Sequence, residues 1–124
     1  MLSSSRVYIF EVNYKNSTWL NFQQADELAG LIAQMLSTGI KDLTFKNLQF
    51  INVYDFHGMN RYSTQIHINK FTYYKQKILS KELIAELRTK IKAQLKKILQ
   101  LKFEDVLIVN DEFDMKPTAG LLGG

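Results

Sequence analysis

The chain has 124 residues, 16 basic and 12 acidic side chains, two histidines, one proline and no cysteine. A chain of this length forms one compact domain that buries roughly two-thirds of its unfolded surface without covalent staples. The missing cysteines exclude a disulfide framework, a thiolate metal centre and a cysteine nucleophile.

A hydrophobic content of 46% with 23% charged residues is globular and not disordered. No apolar run reaches the roughly 18–20 residues that span a bilayer. The opening Met1-Leu2-Ser3-Ser4-Ser5-Arg6 has no basic-then-apolar leader pattern. The expectation is a cytoplasmic protein, or an intracellular virion component, with no membrane partner. Nothing repeats at a fixed period, and no Gly, Ser or Pro linker divides the chain. Residues 1–115 therefore read as one domain and 116–124 as a Gly-rich tail.

Residues 6–14 read as a central strand, with Tyr8, Phe10, Val12 and Tyr14 on one face and Val7 and Ile9 on the other. A turn at 15–17 leads to a possible short strand at 18–20. Asn21, with Gln24 three residues on, has the pattern of a capping box. Ala25, Leu28, Leu31, Ile32, Met35 and Leu36 then follow helical spacing, Asp26 and Glu27 are expected in the first turn, where the helix dipole favours negative charge, and Gly39 reads as the C-terminal cap. Residues 43–56 alternate with a phase change near Asn47-Leu48, which predicts a bulge or two short strands. A turn at 57–60 joins them to a strand over 62–74 that slips phase near Lys70. Ser80 caps a second helix, expected over 81–101, with Leu83, Leu87, Ile91, Leu95, Ile98 and Leu99 as its stripe. Val106-Leu107-Ile108-Val109 fits a buried strand. The order βαββαβ predicts an α+β fold, an antiparallel sheet with two helices on one face, of which the ferredoxin-like arrangement is the simplest.

The candidates for catalysis cluster around Asp55, His57, Arg61 and His67. Two histidines flanking a turn are the residue types of an acid–base pair. No nucleophile elbow, phosphate loop or zinc-ligand spacing accompanies them, so the chain reads as non-enzymatic, with no cofactor and no metal. Residues 75–102 carry nine basic side chains against two acidic ones, and Arg88, Lys92 and Lys96 recur every four residues beside Lys97. This stripe is a candidate nucleic-acid or polyanion surface. An alternative pairs it with the acidic stretch at 104–115 of another subunit.

The tail ends Leu121-Leu122-Gly123-Gly124 and resembles the exposed Gly-Gly ends of ubiquitin-like modifiers and sulfur carriers. The resemblance implies a C-terminal carboxylate that enters an activating enzyme. Eight Phe, six Tyr and one Trp exceed what two helices can cover. Surplus aromatics favour interfaces. The reading that follows is an interaction or assembly subunit that docks a protein partner or a copy of itself through an aromatic-rich sheet face and its tail. Tyr54, Phe56, Tyr62, Phe71, Tyr73 and Tyr74 are its expected contacts.

Overall fold

A computed structural model describes residues 4–55 and 61–111. The elements run β1 (Ser4–Tyr14), α1 (Phe22–Gly39), β2 (Leu43–Thr44), β3 (Asn47–Asp55), β4 (Arg61–Asn69), β5 (Thr72–Tyr73), α2 (Lys81–Leu95), β6 (Leu101–Lys102) and β7 (Asp105–Asp111). The chain is an α+β domain. Its main sheet lays β3 against β4 and β4 against β1, and β7 and β6 follow one another along the far side of β1. β2 and β5 form a separate two-stranded ladder, and all these pairings are antiparallel. One sheet face packs on both helices. Val7, Ile9, Ile66, Ile68, Val106 and Ile108 meet Leu28, Ile32, Leu36, Leu87, Ile91 and Leu95 there, all buried.

Local chemistry explains the helix starts. Asn21 Oδ1 accepts the Gln24 amide at 2.8 Å and Gln24 Oε1 accepts the Asn21 amide at 3.0 Å, the reciprocal capping box. Ser80 Oγ accepts the Leu83 amide at 3.2 Å. The helix ends depart from expectation. Gly39 is the last residue of α1, not a left-handed cap, and a side chain there would collide with the Gln94 amide group. Asp26 and Glu27 lie beyond the first turn, which holds no acidic residue. α2 stops at Leu95, not Leu101: the chain turns through 96–100, with Gln100 at φ 65°, so that Leu101 pairs with Tyr14. Ile98 becomes buried by this turn, and Leu99 points outward. Residues 18–20 form no strand, and Tyr14 bridges Ser17 across a tight turn instead.

The alternation of β1 breaks once. Glu11 adopts φ 54°, and the register to β4 shifts between Ile9 and Val12. Such a bulge moves every later side chain to the opposite face. Val7, Ile9, Val12 and Tyr14 are therefore all core residues, and Tyr8 and Phe10 face the other way. Lys70, at φ 51°, does the same between β4 and β5, the phase slip that the sequence announces.

The two halves of the chain repeat one another, contrary to the expectation of no internal repeat. Tyr14, Leu20, Glu27, Leu28, Ile32 and Leu36 recur at constant spacing as Tyr73, Leu79, Glu86, Leu87, Ile91 and Leu95. Past the helices the spacing shortens by one residue, and Leu43, Phe45 and Asn52 recur as Leu101, Phe103 and Asn110. The left-handed residues match as well: Glu11 with Lys70, Lys15 with Tyr74, Asn16 with Lys75, Asp42 with Gln100. The rung Tyr14↔Leu101 has its twin in Tyr73↔Leu43. Tyr8 pairs with His67, its own counterpart, so the pseudo-twofold axis passes between β1 and β4 at that rung.

The halves also lock each other by exchanged hydrogen bonds. Thr64 Oγ1 donates to Asn52 Oδ1 at 2.6 Å and accepts the Leu20 amide at 3.2 Å, and Asn52 Nδ2 donates to the Leu20 carbonyl at 3.1 Å. In the twin arrangement Ser5 Oγ reaches the Lys77 carbonyl and lies 3.0 Å from Asn110 Oδ1. Asn110 Nδ2 donates to the Leu79 carbonyl at 2.8 Å.

Candidate docking faces

Among the described residues, the second sheet face carries no helix. Directly opposed residues share a face in antiparallel pairing. The register therefore places Gln49, His67, Tyr8 and Leu107 in one row across four strands, and Asn47, Asn69, Arg6 and Val109 in the next. Ile51 and Val53 extend the face along β3 and Phe10 along β1. Leu107 is 47% exposed and Ile51 38%. The His67 ring meets Tyr8 edge-on at 4.6 Å between centroids, and its Nε2 is 3.1 Å from Gln65 Oε1. Arg6 Nη1 donates to the Tyr8 hydroxyl at 3.3 Å. Burial, and after it the Arg6 charge, holds the His67 pKa below the ordinary imidazole value. A neutral ring thus sits at the centre of a face with apolar and amide side chains around it.

The six expected contact residues do not share one surface. Phe71 and Tyr73 are core residues, 2% and 0% exposed, because the turn at Lys70 points them inward; they present no docking surface. Tyr74 is exposed against Tyr73. Tyr54 and Tyr62 oppose each other on the helix side of the sheet, with Trp19 edge-on to Tyr62 at 4.6 Å. Tyr62 and Trp19 are exposed, as is Phe22 at the start of α1. Phe56, His57, Gly123 and Gly124 lie outside the described residues, as does the rest of the 116–124 tail.

Half of the basic stripe is answered within the chain. Arg88 Nε donates to the Val106 carbonyl at 2.6 Å and Nη2 to Asp105 Oδ1 at 2.7 Å; Lys92 Nζ is 3.0 Å from the same oxygen. The bonds from Lys92, the Val106 amide and Arg88 lower the Asp105 pKa to about 2. Lys96 and Lys97 follow the last turn of α2, exposed. The acidic partner expected from another subunit is thus supplied, for Arg88 and Lys92, by Asp105 of the same chain.

Two tyrosines anchor turns to helices. Tyr14 donates to Glu27, which Lys15 also meets at 2.7 Å; Tyr73 donates to Glu86 and accepts from Lys90 Nζ at 3.0 Å. Burial first, then the bonded carboxylate, raises the Tyr73 pKa to about 12, and the same causes raise that of Tyr14. A phenol held protonated is the opposite of an activated base, so both are structural links.

A groove opens between α1 and β3. Its volume is about 430 Å³, with Leu20, Ala25, Ala29, Leu48 and Phe50 as walls and Asn21 and Asp26 at the rim. α2 packs closely on β7, whereas α1 stands off β3.

Asp55 pairs with Arg61 in register and His67 lies in the sheet, so the structure gathers no acid–base pair among the described residues. No group of three or more potential ligands for a metal is present among them. No helix of the described residues is long and apolar enough to cross a membrane. No protein-family model matches the chain, and no curated protein matches it. Among solved structures, the crystal structure of At3g17210 from Arabidopsis thaliana is similar at a TM-score of 0.44 and 18% identity, over 96% of this chain and 99% of that one.

Proposed function

We propose that this chain is a non-enzymatic interaction subunit that pairs with a second copy of itself through the helix-free face of its sheet. The observation that carries the reading is the row through half-buried Tyr8 and His67 and exposed Leu107, flanked by Ile51, Val53, Phe10 and Val109 on a face that no element of the described chain covers. Four strands at ~4.8 Å spacing and about seven residues at ~3.3 Å rise give a footprint of the order of 20 Å on each side. That is about 400 Å² in projection, roughly half of the ~800 Å² per partner of a standard interface, to which side-chain relief adds. The pseudo-twofold strand order β3-β4-β1-β7 supports a ferredoxin-like arrangement, in which both helices take one face and leave the other for a partner. Arg6 is the one charged side chain described in the two central rows, and it is tied to Tyr8, so the face carries little charge to repel its own copy.

Light scattering on a sizing column tests this. The native chain is expected at twice 14.4 kDa at micromolar concentration. Leu107→Lys, a change at an exposed position, is expected to elute as a monomer with unchanged helix content and an unfolding temperature that no longer depends on protein concentration. A native chain that is monomeric at 100-fold higher concentration refutes the proposal.

A further inference from the structure

The repeat offers a direct comparison between two places that the fold makes equivalent. At the edge of β7, Val106 stands opposite Ile9 and turns both backbone polar groups outward: its carbonyl accepts from Arg88 Nε at 2.6 Å and its amide donates to Asp105 Oδ1 at 2.8 Å. Arg88 reaches from α2 to that edge and ties it through Val106 and Asp105. At the edge of β3, Leu48 stands opposite Ile68 as Val106 stands opposite Ile9. The residue of α1 in the place of Arg88 is Ala29, with Ala25 one turn before it. At the place equivalent to Arg88, the first half has the groove of about 430 Å³. Its lining holds one acidic residue, Asp26, and no Lys, Arg or His.

We infer that the groove between α1 and β3 receives an arginine side chain carried on an extended segment of a protein partner. The guanidinium donates to the outward carbonyl of Leu48, as Arg88 does to Val106, and Asp26 supplies the countercharge. The methylene stem lies against Leu20, Ala25, Ala29 and Phe50. The backbone on either side of the arginine runs beside β3, whose outer edge pairs with no strand among the described residues and can accept one. Lysine satisfies the site poorly, since a single ammonium lacks the planar fork that reaches a carbonyl and a carboxylate together. The groove lies on the helix side of the sheet, so this site stands or falls separately from pairing through the opposite face.

The test is a titration of the full chain, isotope-labelled for amide NMR, with the peptide acetyl-Val-Thr-Arg-Thr-Val-amide and its citrulline twin. The arginine peptide is expected to shift the amides of Leu48, Phe50 and 25–29, and the neutral, near-isosteric citrulline peptide to bind at least tenfold more weakly. Asp26→Asn weakens the arginine peptide several-fold. Ala29→Arg, which builds the Arg88 arrangement into the first half, abolishes binding. Ala29→Leu is a second plug that closes the groove without a new charge, should the arginine disturb folding. No shift at millimolar peptide, equal binding of the citrulline peptide, shifts centred on Tyr8 and Leu107, or full binding by both plugged variants overturns the inference.

Discussion

Thr64→Val isolates the bond network that ties the two halves together. Thr64 is wholly buried, and valine keeps its shape, so no cavity forms. What is lost is one acceptor and one donor. The Leu20 amide loses the oxygen that it meets at 3.2 Å, and Asn52 Oδ1 loses the proton that it accepts at 2.6 Å. Leu20 is 4% exposed, so water does not replace the first bond, whereas Asn52 is exposed and water replaces the second. A buried, unsatisfied amide costs about 1–3 kcal/mol and the replaced bond about half a kcal/mol, so the expected loss is about 2 kcal/mol. For a domain of this size that is a fall of roughly 6–10 °C in the unfolding midpoint. Ser5→Ala, the twin change, leaves only carbonyl and amide oxygens short of a donor and is expected to cost about 1 kcal/mol. Urea unfolding followed by circular dichroism measures both, with unchanged slopes showing that the denatured state is the same. A Thr64→Val protein within 0.5 kcal/mol of native, on the scale of an unimportant surface change, would refute the claim that these exchanged bonds hold the halves in register.

Three further outcomes are expected. Lys70→Gly, at φ 51°, relieves left-handed strain and stabilises by about 0.5–1 kcal/mol, while Lys70→Val destabilises; thermal unfolding separates them, and equal midpoints contradict the bulge. Tyr73 ionises near pH 12 against an ordinary 10.0, so its contribution is whole below pH 10 and fades as the pH rises toward 12; absorbance at 295 nm should show a late phenolate that Tyr73→Phe removes. The pKa of His67 is held low by burial and by Arg6, so lowering the pH below the usual imidazole range puts a second charge beside Arg6 on the free face. Self-association should therefore weaken only as the pH falls below the ordinary imidazole value of 6.5, and His67→Gln should flatten that dependence. A pH-independent native dimer removes His67 from the interface.

The parts of the fold governed by local chemistry were legible in the sequence. Asn21 and Gln24 announced a capping box, Ser80 a cap, and Leu28, Ile32 and Leu36 the buried face of α1. The phase slips near Asn47 and Lys70 also stood where the chain breaks its strands. The bulge at Glu11 was not legible, because Phe10 and Val12 continue an unbroken apolar alternation and nothing local distinguishes Glu11 from an outward strand residue. The early end of α2 was hidden for a similar reason: Ile98 and Leu99 prolong the stripe, and only the distant rung Leu101↔Tyr14 stops the helix. The pairing of Arg88 with Asp105 crosses from helix to sheet edge, so a stripe that looks free in sequence is half neutralised in space. The repeat escaped because it survives mainly at buried positions and changes spacing after the helices. Glycine was the wrong signal for its turns, since Lys15, Asn16, Tyr74 and Lys75 hold the left-handed places instead.

That repeat gives the surfaces their meaning. Two halves packed about a pseudo-twofold axis must satisfy the same core twice, and they do so with matching residues: Tyr14 and Tyr73, Leu28 and Leu87, Ile32 and Ile91. Nothing in the core requires the surfaces to match, so a difference between equivalent surface positions marks a place where the halves do different work. A free strand edge is a hazard that proteins cover, and at β7 the cover is Arg88 with Asp105. At β3 the equivalent helix position is alanine, and no strand or side chain among the described residues closes the edge beside it. A chain under pressure only to stay folded and unaggregated would close both edges alike, and a long basic side chain at Ala29 would suffice. One edge closed and one open, on a framework that offers the same geometry twice, is therefore better explained by an occupant for the open edge than by the demands of the fold.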